Sequence, residues 1–185
     1  MRFILLLITF FILTTLVIAQ NKMDIANPLD ILNVFVGEWE GSATAFYPRI
    51  EGKENREETI YVTCRKVLKG TYIECNSIYK QTNGNSRELL VYWNYDAKAD
   101  SFQILYLYDN WPGKVNYPLY FDTTERLFTG YDTFTVHGSI PAEERVETYI
   151  SEDGNEIRHT EYNHYQTDPE DYWVKSFESV WKRKR

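Results

Sequence analysis

The stretch Phe35-Val36-Gly37-Glu38-Trp39-Glu40-Gly41 marks the point at which the chain changes from a helical to a strand pattern. Asn27-Pro28 is typical of a helix start, and apolar residues recur at helical spacing from there to Gly37. Glycine adopts the positive φ that a helix C-terminus often needs. Trp39 then shares a strand face with small residues, namely Gly41, Ala43 and Ala45. This pattern predicts a short helix and an aromatic plug at the closed end of a β-barrel.

Beyond Glu38 the apolar period is two, with breaks at clusters of turn residues. The predicted strands span about 38–48, 57–68, 71–80, 86–95, 101–109, 115–121, 126–136, 143–151, 156–167 and 171–182. Short turns and the lack of intervening helices predict an all-β, antiparallel meander. A closed barrel of about ten strands removes exposed strand edges, so we prefer it to a two-sheet sandwich. Such a barrel should be too wide for side chains to fill, which predicts a cavity.

Gly37-Glu38-Trp39 resembles the Gly-x-Trp signature that opens the first strand of lipocalins. The segments Phe35 to Arg49 and Arg65 to Glu74, followed by Tyr95-Asp96, are similar to an uncharacterised bacterial lipocalin-like family of unknown function. This resemblance implies a calycin-like barrel. Tyr47-Pro48-Arg49-Ile50 is also similar to the first-strand region of nitrobindins, ten-stranded barrels that bind haem. The later part of the chain, including the haem histidine, does not match that family, and we expect no cofactor.

Residues 1–19 have the features of a secretory signal peptide, with Arg2, an apolar run from Phe3 to Leu16, and small residues before a cleavage point after Ala19. We therefore expect a secreted or periplasmic protein with a single domain, residues 20–185. The alternative is an uncleaved membrane anchor, because the apolar run is near the lower length limit for a span. After cleavage we expect no stable membrane insertion.

The predicted mature chain has 19 Lys and Arg against 27 Asp and Glu, a net charge of −8. An acidic chain repels phosphate backbones, so nucleic acid is not an expected partner. We interpret Lys182-Arg183-Lys184-Arg185 as a solvated chain end.

Cys64 and Cys75 suggest one disulfide bond in an exported chain. A hairpin with a two- or four-residue loop centred on Lys69-Gly70 places the two cysteines opposite each other. A three-residue loop with a glycine bulge shifts the register by one residue and turns the thiols to opposite faces, where they cannot bond. The sequence leaves both registers open.

The candidate ligand-binding residues are those that alternation, aromatic content or chemistry places at a barrel lumen: Trp39, Arg65, Trp93, Tyr106, Tyr108 and His159. Arg65 faces Glu74 in the register that pairs the cysteines. The pair is either exposed on the barrel surface or turned into the lumen, where the arginine would bind an anionic headgroup.

The histidines and carboxylates do not form a recognisable catalytic or metal motif. His159 and His164 face opposite sides of one strand and cannot share a metal. The predicted hairpin at Asp153-Gly154 places Thr148 opposite His159, which we interpret as a polar surface residue rather than a proton shuttle. Glu143-Glu144 is interpreted as solvated charge.

We therefore predict an exported, non-catalytic protein that binds a small apolar or amphipathic ligand in the lumen. One alternative is an isomerase- or cyclase-type enzyme that uses Arg65, Tyr106 or His159, which requires a strongly shifted ionisable group inside the barrel. The other is a structural or interaction module with a filled barrel.

Overall fold

A computed structural model of the chain describes residues 27–136 and 140–185. The predicted signal sequence lies outside the described residues, and so does His137. No helix in the described part of the chain is long and apolar enough to cross a membrane.

The described residues form one short helix and ten strands, with two short 3₁₀ turns at Asn33–Phe35 and Leu68–Gly70. The helix α1 spans Pro28–Leu32. The strands are β1 (Gly37–Ala45), β2 (Arg56–Val67), β3 (Tyr72–Gln81), β4 (Ser86–Asp96), β5 (Ser101–Tyr108), β6 (Trp111–Asp122), β7 (Leu127–Val136), β8 (Ile140–Ile150), β9 (Glu156–Tyr165) and β10 (Val174–Arg183).

Each strand pairs antiparallel with the next, and β10 pairs with β1 to close the barrel. The predicted all-β, ten-stranded lipocalin-like barrel is confirmed, and the sandwich alternative is wrong. β6 begins at Trp111 and β8 at Ile140, a few residues earlier than the turn signals predicted. The reason is that Pro112 and Pro141 are each the second residue of a strand, and proline is tolerated near a strand end.

The helix closes one end of the barrel as predicted. Asn27 caps α1 by accepting a 3.1 Å hydrogen bond from the backbone amide of Leu29. Gly37 has a φ of 131° where the helical segment turns into β1. Trp39 is 1 % exposed, and its indole Nε1 donates a 2.8 Å hydrogen bond to the carbonyl of Phe35. The plug therefore joins the first strand to the end of the helical segment.

Arg183 also belongs to this closed end, so its interpretation as part of a solvated tail is wrong. It is in β10, opposite Trp39 of β1. Its Nη1 donates to the carbonyl of Val36 at 2.8 Å, and its Nη2 donates to that of Val34 at 2.7 Å. Carbonyls at the end of a helical segment lack intrahelical donors. The arginine supplies those donors.

The cysteines lie opposite each other in the β2–β3 hairpin and form a disulfide bond with a Cα–Cα distance of 4.0 Å. Val67 pairs with Tyr72, so the hairpin has the even-length loop rather than the glycine-bulge loop. Both cysteines are buried and face the lumen. The bond therefore links two strands inside the barrel near its closed end.

Aromatic side chains fill the half of the lumen next to α1. The rings of Phe35 and Trp93 stack with centroids 4.5 Å apart, and Phe121 and Phe128 are at the same distance from each other. The expectation that ten strands leave a wide lumen is therefore wrong for this half. The strand count is as predicted, but large inward rings and the helical residues Leu32 and Phe35 occupy the space.

Candidate functional site

The half of the lumen farther from α1, called here the polar half, carries inward-facing ionisable side chains. They come from five strands: Glu58 on β2, Arg87 on β4, Asp132 on β7, Glu144 on β8, and His159 and Glu161 on β9. Tyr79, Tyr106, Tyr108 and Tyr117 lie beside them on β3, β5 and β6. The barrel thus has an apolar closed half and a polar, tyrosine-rich half.

A small, partly enclosed cavity lies between the two halves. Its volume is about 20 Å³, which is the space of one water molecule. The lining residues are Ser77, Tyr79, Leu89, Val91, Trp93, Tyr106, Thr148, His159, Glu161, Phe177 and Trp181. The wall is therefore largely aromatic, with polar groups from β3, β8 and β9.

His159 is held in a chain of hydrogen bonds on one side of this cavity. Its Nδ1 is 2.9 Å from the hydroxyl oxygen of Thr148, and its Nε2 is 3.0 Å from Glu161 Oε1. A neutral imidazole that donates from Nε2 to Glu161 and accepts at Nδ1 from Thr148 satisfies all three groups. The histidine is 8 % exposed, so its interpretation as a surface residue is wrong.

Two polar atoms on the cavity wall lack hydrogen-bond partners among the described residues: the hydroxyl oxygen of Ser77 and the indole Nε1 of Trp93. Ser77 is 1 % exposed and Trp93 is 2 % exposed, so bulk water does not reach them. Buried polar groups are nearly always hydrogen-bonded, because an unpaired one costs about 1–3 kcal/mol. These atoms are suited to contact a small polar group in the cavity.

Arg87 and Glu58 form a buried ion pair on the opposite wall. Arg87 donates from Nε and Nη2 to the Glu58 carboxylate, with an Nη2–Oε2 distance of 2.8 Å. Arg56 Nε is 3.2 Å from the same carboxylate. The Arg87 guanidinium also lies 3.8 Å from the ring centre of Tyr79. Burial lowers the pKa of Arg87, but the hydrogen bond to Glu58 together with electrostatic interactions with Tyr79, Glu58 and Glu161 raises the pKa overall. The charged side chains on this wall are therefore paired with each other.

The wall formed by β7, β8 and β9 is acidic. Asp132 and Glu144 are directly opposite each other, and Glu161 lies one inward row nearer to α1. Burial raises the pKa of Glu144 to about 8, and repulsion from Glu161 and then Asp132 adds to the effect. Glu144 lies on the inward face of β8 with Val146 and Thr148, and the raised pKa favours its protonated form, so its interpretation as solvated charge is wrong.

The predicted ligand residues separate into two groups. Trp93, Tyr106 and His159 line the cavity together, and Tyr108 lies next to Tyr106 with ring centroids 6.3 Å apart. Trp39 is in the plug at the closed end and does not line the cavity.

Arg65 lies outside the barrel, with its side chain 71 % exposed, and pairs with Glu74. Hydrogen bonds from Tyr92 and then Arg65 lower the pKa of Glu74 on this surface. The exposed placement of the Arg65–Glu74 pair is therefore confirmed, and the candidate role of Arg65 in the lumen is wrong. The reason is that the even-numbered residues of β2, with Ile60, Val62 and Cys64, form the inward face.

The sequence interpretation missed Glu58, Ser77, Arg87, Glu144 and Glu161 as lumen residues. Glu144 was detectable, because it alternates with Val146, Thr148 and Ile150 on the inward face of β8. Within the described ranges, no three His, Cys, Asp or Glu side chains are grouped to hold a metal ion.

A wider open groove of about 660 Å³ lies at the rim formed by β7, β8 and β9. Its lining includes Thr135, Pro141 and His164. We take the lumen cavity as the candidate site because it is more enclosed than the rim groove and combines aromatic walls with convergent polar groups.

The fold defines a closed antiparallel ten-stranded barrel with a lipocalin-like architecture and a small polar cavity in its lumen. No protein-family model matches the chain, and no curated protein matches it significantly in sequence. The function is therefore inferred from the geometry of the lumen.

Proposed function

We propose that this is an exported, non-catalytic protein that binds a small amphipathic molecule through the polar half of its lumen. The pairing of Ser77 Oγ and Trp93 Nε1 as buried, unpartnered atoms on the cavity wall carries the proposal. A bound group that hydrogen-bonds to either atom recovers free energy that the ligand-free protein lacks. The signal-like residues 1–19 and the disulfide bond support export.

The size of the cavity limits the kind of ligand. A space of about 20 Å³ accepts one small polar group and not an alkyl chain. The rest of the ligand therefore lies beyond the cavity on the side away from α1, called here the mouth, beside Tyr106 and Tyr108, whose rings contribute apolar surface and hydroxyl groups. Of the two ligand types considered from the sequence, the amphipathic one fits this division better than the wholly apolar one.

Native mass spectrometry of protein purified from its own source tests the proposal. We expect an adduct of defined mass that is released on denaturation. Ser77→Val removes the hydroxyl and adds about one methyl group to the cavity, so it should abolish the adduct, whereas Ile78→Leu changes the outward-facing neighbour and should retain it. Wild-type protein without an adduct that also takes up no small molecule from a cell extract would contradict the proposal. That outcome would favour the filled-barrel interaction module.

A second candidate function is an acid–base enzyme of the isomerase or cyclase type. Two lumen features favour it: the hydrogen-bonded chain Thr148–His159–Glu161, and the Glu144 carboxyl with its pKa raised by burial to about 8. Chemical turnover of the molecule recovered as an adduct, lost in His159→Gln with binding retained, would support this candidate over simple binding.

A further inference from the structure

The acidic wall of the polar half has an excess of negative charge. Asp132, Glu144 and Glu161 face inward from three neighbouring strands. Among the described inward-facing residues of β7, β8 and β9 there is no lysine or arginine, because Arg145 and Arg158 point outward. His159 is the remaining basic side chain on this wall, and the neutral form satisfies its two hydrogen bonds.

The facing wall does not neutralise this charge. Arg56 and Arg87 both pair with Glu58, so these three side chains together carry one net positive charge. Even with Glu144 protonated, Asp132 and Glu161 carry more negative charge than this group offsets. A cation in the polar half would therefore be stabilised by nearby carboxylates in a partly desolvated setting.

The cavity itself supplies further contacts for a cation. Ser77 Oγ is buried and unpartnered on the wall that also includes Glu161, and a serine hydroxyl accepts hydrogen bonds. The rings of Tyr106, Phe177 and Trp181 line the same space, and aromatic faces attract cations. Size adds a constraint, because a primary ammonium group is close to a water molecule in volume and a quaternary ammonium group is much larger.

We propose that the cavity binds the protonated amino group of a small primary amine, with Glu161 as counter-ion and Ser77 Oγ as a hydrogen-bond acceptor. This inference rests on the proposed function and specifies the ligand class. The alkyl or aryl part of the amine extends into the mouth between Tyr106, Tyr108 and the acidic wall.

Isothermal titration calorimetry with three matched probes tests this inference: hexylamine, hexanol and hexyltrimethylammonium. We expect hexylamine to bind at least about tenfold more tightly than hexanol, because a hydrogen-bonded charge contributes about 1.5–3 kcal/mol. Hexyltrimethylammonium should bind at least about tenfold more weakly than hexylamine, because its head does not fit the cavity.

Variants connect the binding to the named residues. Glu161→Gln should weaken hexylamine binding at least about tenfold and leave hexanol binding within about twofold. Glu143→Gln, on the outward face of β8, should leave both affinities unchanged. Circular dichroism and thermal unfolding establish that each variant is folded. If Glu161→Gln fails to fold, Ser77→Ala provides the same comparison through the loss of one acceptor.

The outcomes separate this inference from the proposed function. Equal binding of hexylamine and hexanol, or an adduct from the native source that is not an amine, overturns the amine inference and leaves small-molecule binding intact. Absence of binding for all three probes, together with absence of a native adduct, overturns both. Tight binding of hexyltrimethylammonium contradicts the size argument and places the cation outside the cavity.

Discussion

The guanidinium of Arg183 lies 4.1 Å from the centre of the Trp39 ring, so the last strand of the barrel meets the first strand through a cation–π contact. The same guanidinium donates hydrogen bonds to the carbonyls of Val34 and Val36 at the end of the helical segment. One side chain therefore connects β10, β1 and the helical cap. This relationship makes the closed end a rigid base below the polar half of the lumen.

Replacing Arg183 should destabilise the whole barrel. Arg183→Met retains much of the aliphatic stem but removes the donors to the carbonyls of Val34, Val36 and Gly154, together with the cation–π contact. We expect the free energy of unfolding to fall by about 2–4 kcal/mol. Urea unfolding monitored by tryptophan fluorescence measures the change. Lys182→Met alters the exposed neighbour and should change stability by less than about 0.5 kcal/mol. Equal values for the two variants would contradict the role assigned to Arg183.

The closed end also shows what local sequence reasoning detects and what it misses. The helix start, Gly37, the burial of Trp39 and the pairing of Thr148 with His159 follow from spacing within a few neighbouring turns. Arg183 contacts Val34 and Val36, which precede it by 149 and 147 residues. No local pattern distinguishes it from the lysines beside it. A charged side chain near a chain end is usually solvated, so a tertiary contact of this kind is detected only in the three-dimensional structure.

The sequence did not predict the polar half of the lumen, for a different physical reason. Alternation identifies two strand faces but does not say which face is inward when both carry polar residues. Glu58 occupies an inward position because the curved sheet brings Arg87 to it from β4, a contact that the sequence of β2 alone does not reveal. The predicted cavity was too large for a related reason: strand number sets the width of the barrel, but the inward rings determine how much of that width stays empty.

The buried pair of Glu58 and Arg87 should be sensitive to loss of one partner. Glu58→Gln leaves two arginines in the polar half without their counter-ion, and we expect a loss of about 3 kcal/mol in the free energy of unfolding. Glu57→Gln removes an exposed carboxylate at the adjacent position and is the matched control. The double variant Glu58→Leu with Arg87→Met should recover much of the lost stability, since it removes both charges. A double variant less stable than Glu58→Gln would contradict this account.

The stability of the protein should decrease between about pH 4.5 and pH 8 as a result of Glu144. Burial raises the pKa of this carboxyl to about 8 in the folded protein, against 4.5 in the unfolded chain. Between these values the folded state binds the proton more strongly, so the stabilisation present at low pH is lost as the pH rises.

Glu144→Gln tests that sign directly. The variant and the wild type should have similar stability near pH 5, and the variant should be the more stable protein near pH 8.5. Glu143→Gln, which changes an outward-facing side chain, should follow the wild-type profile. Chemical unfolding at several pH values gives the comparison, and a stability difference that stays constant with pH would contradict the assignment.

Gly41 should not tolerate a side chain. A Cβ atom added there would lie 1.8 Å from the carbonyl oxygen of Val180 on β10, so the backbone of one strand would have to move. We expect Gly41→Ala to lower the free energy of unfolding by about 3 kcal/mol. Ser42→Ala, at the next and exposed position, is the control and should have little effect. Thermal and urea unfolding of the two variants measure the difference, and equal stabilities would show that the strands can separate without loss.

The disulfide bond should contribute stability and be protected in the folded protein. Cys64 and Cys75 are 11 residues apart, and closing a loop of about this length stabilises a protein by about 2–3 kcal/mol. Because both residues are buried, a small reducing thiol should reach the disulfide bond only when the barrel opens. Alkylation in denaturant without reductant should modify neither cysteine. The double variant Cys64→Ala with Cys75→Ala should unfold at a lower urea concentration than the wild type. Alkylation of both cysteines under those conditions would mean that the strands are held together by packing and hydrogen bonds alone. In that case the double variant should match the stability of the wild type to within the effect of two small cavities.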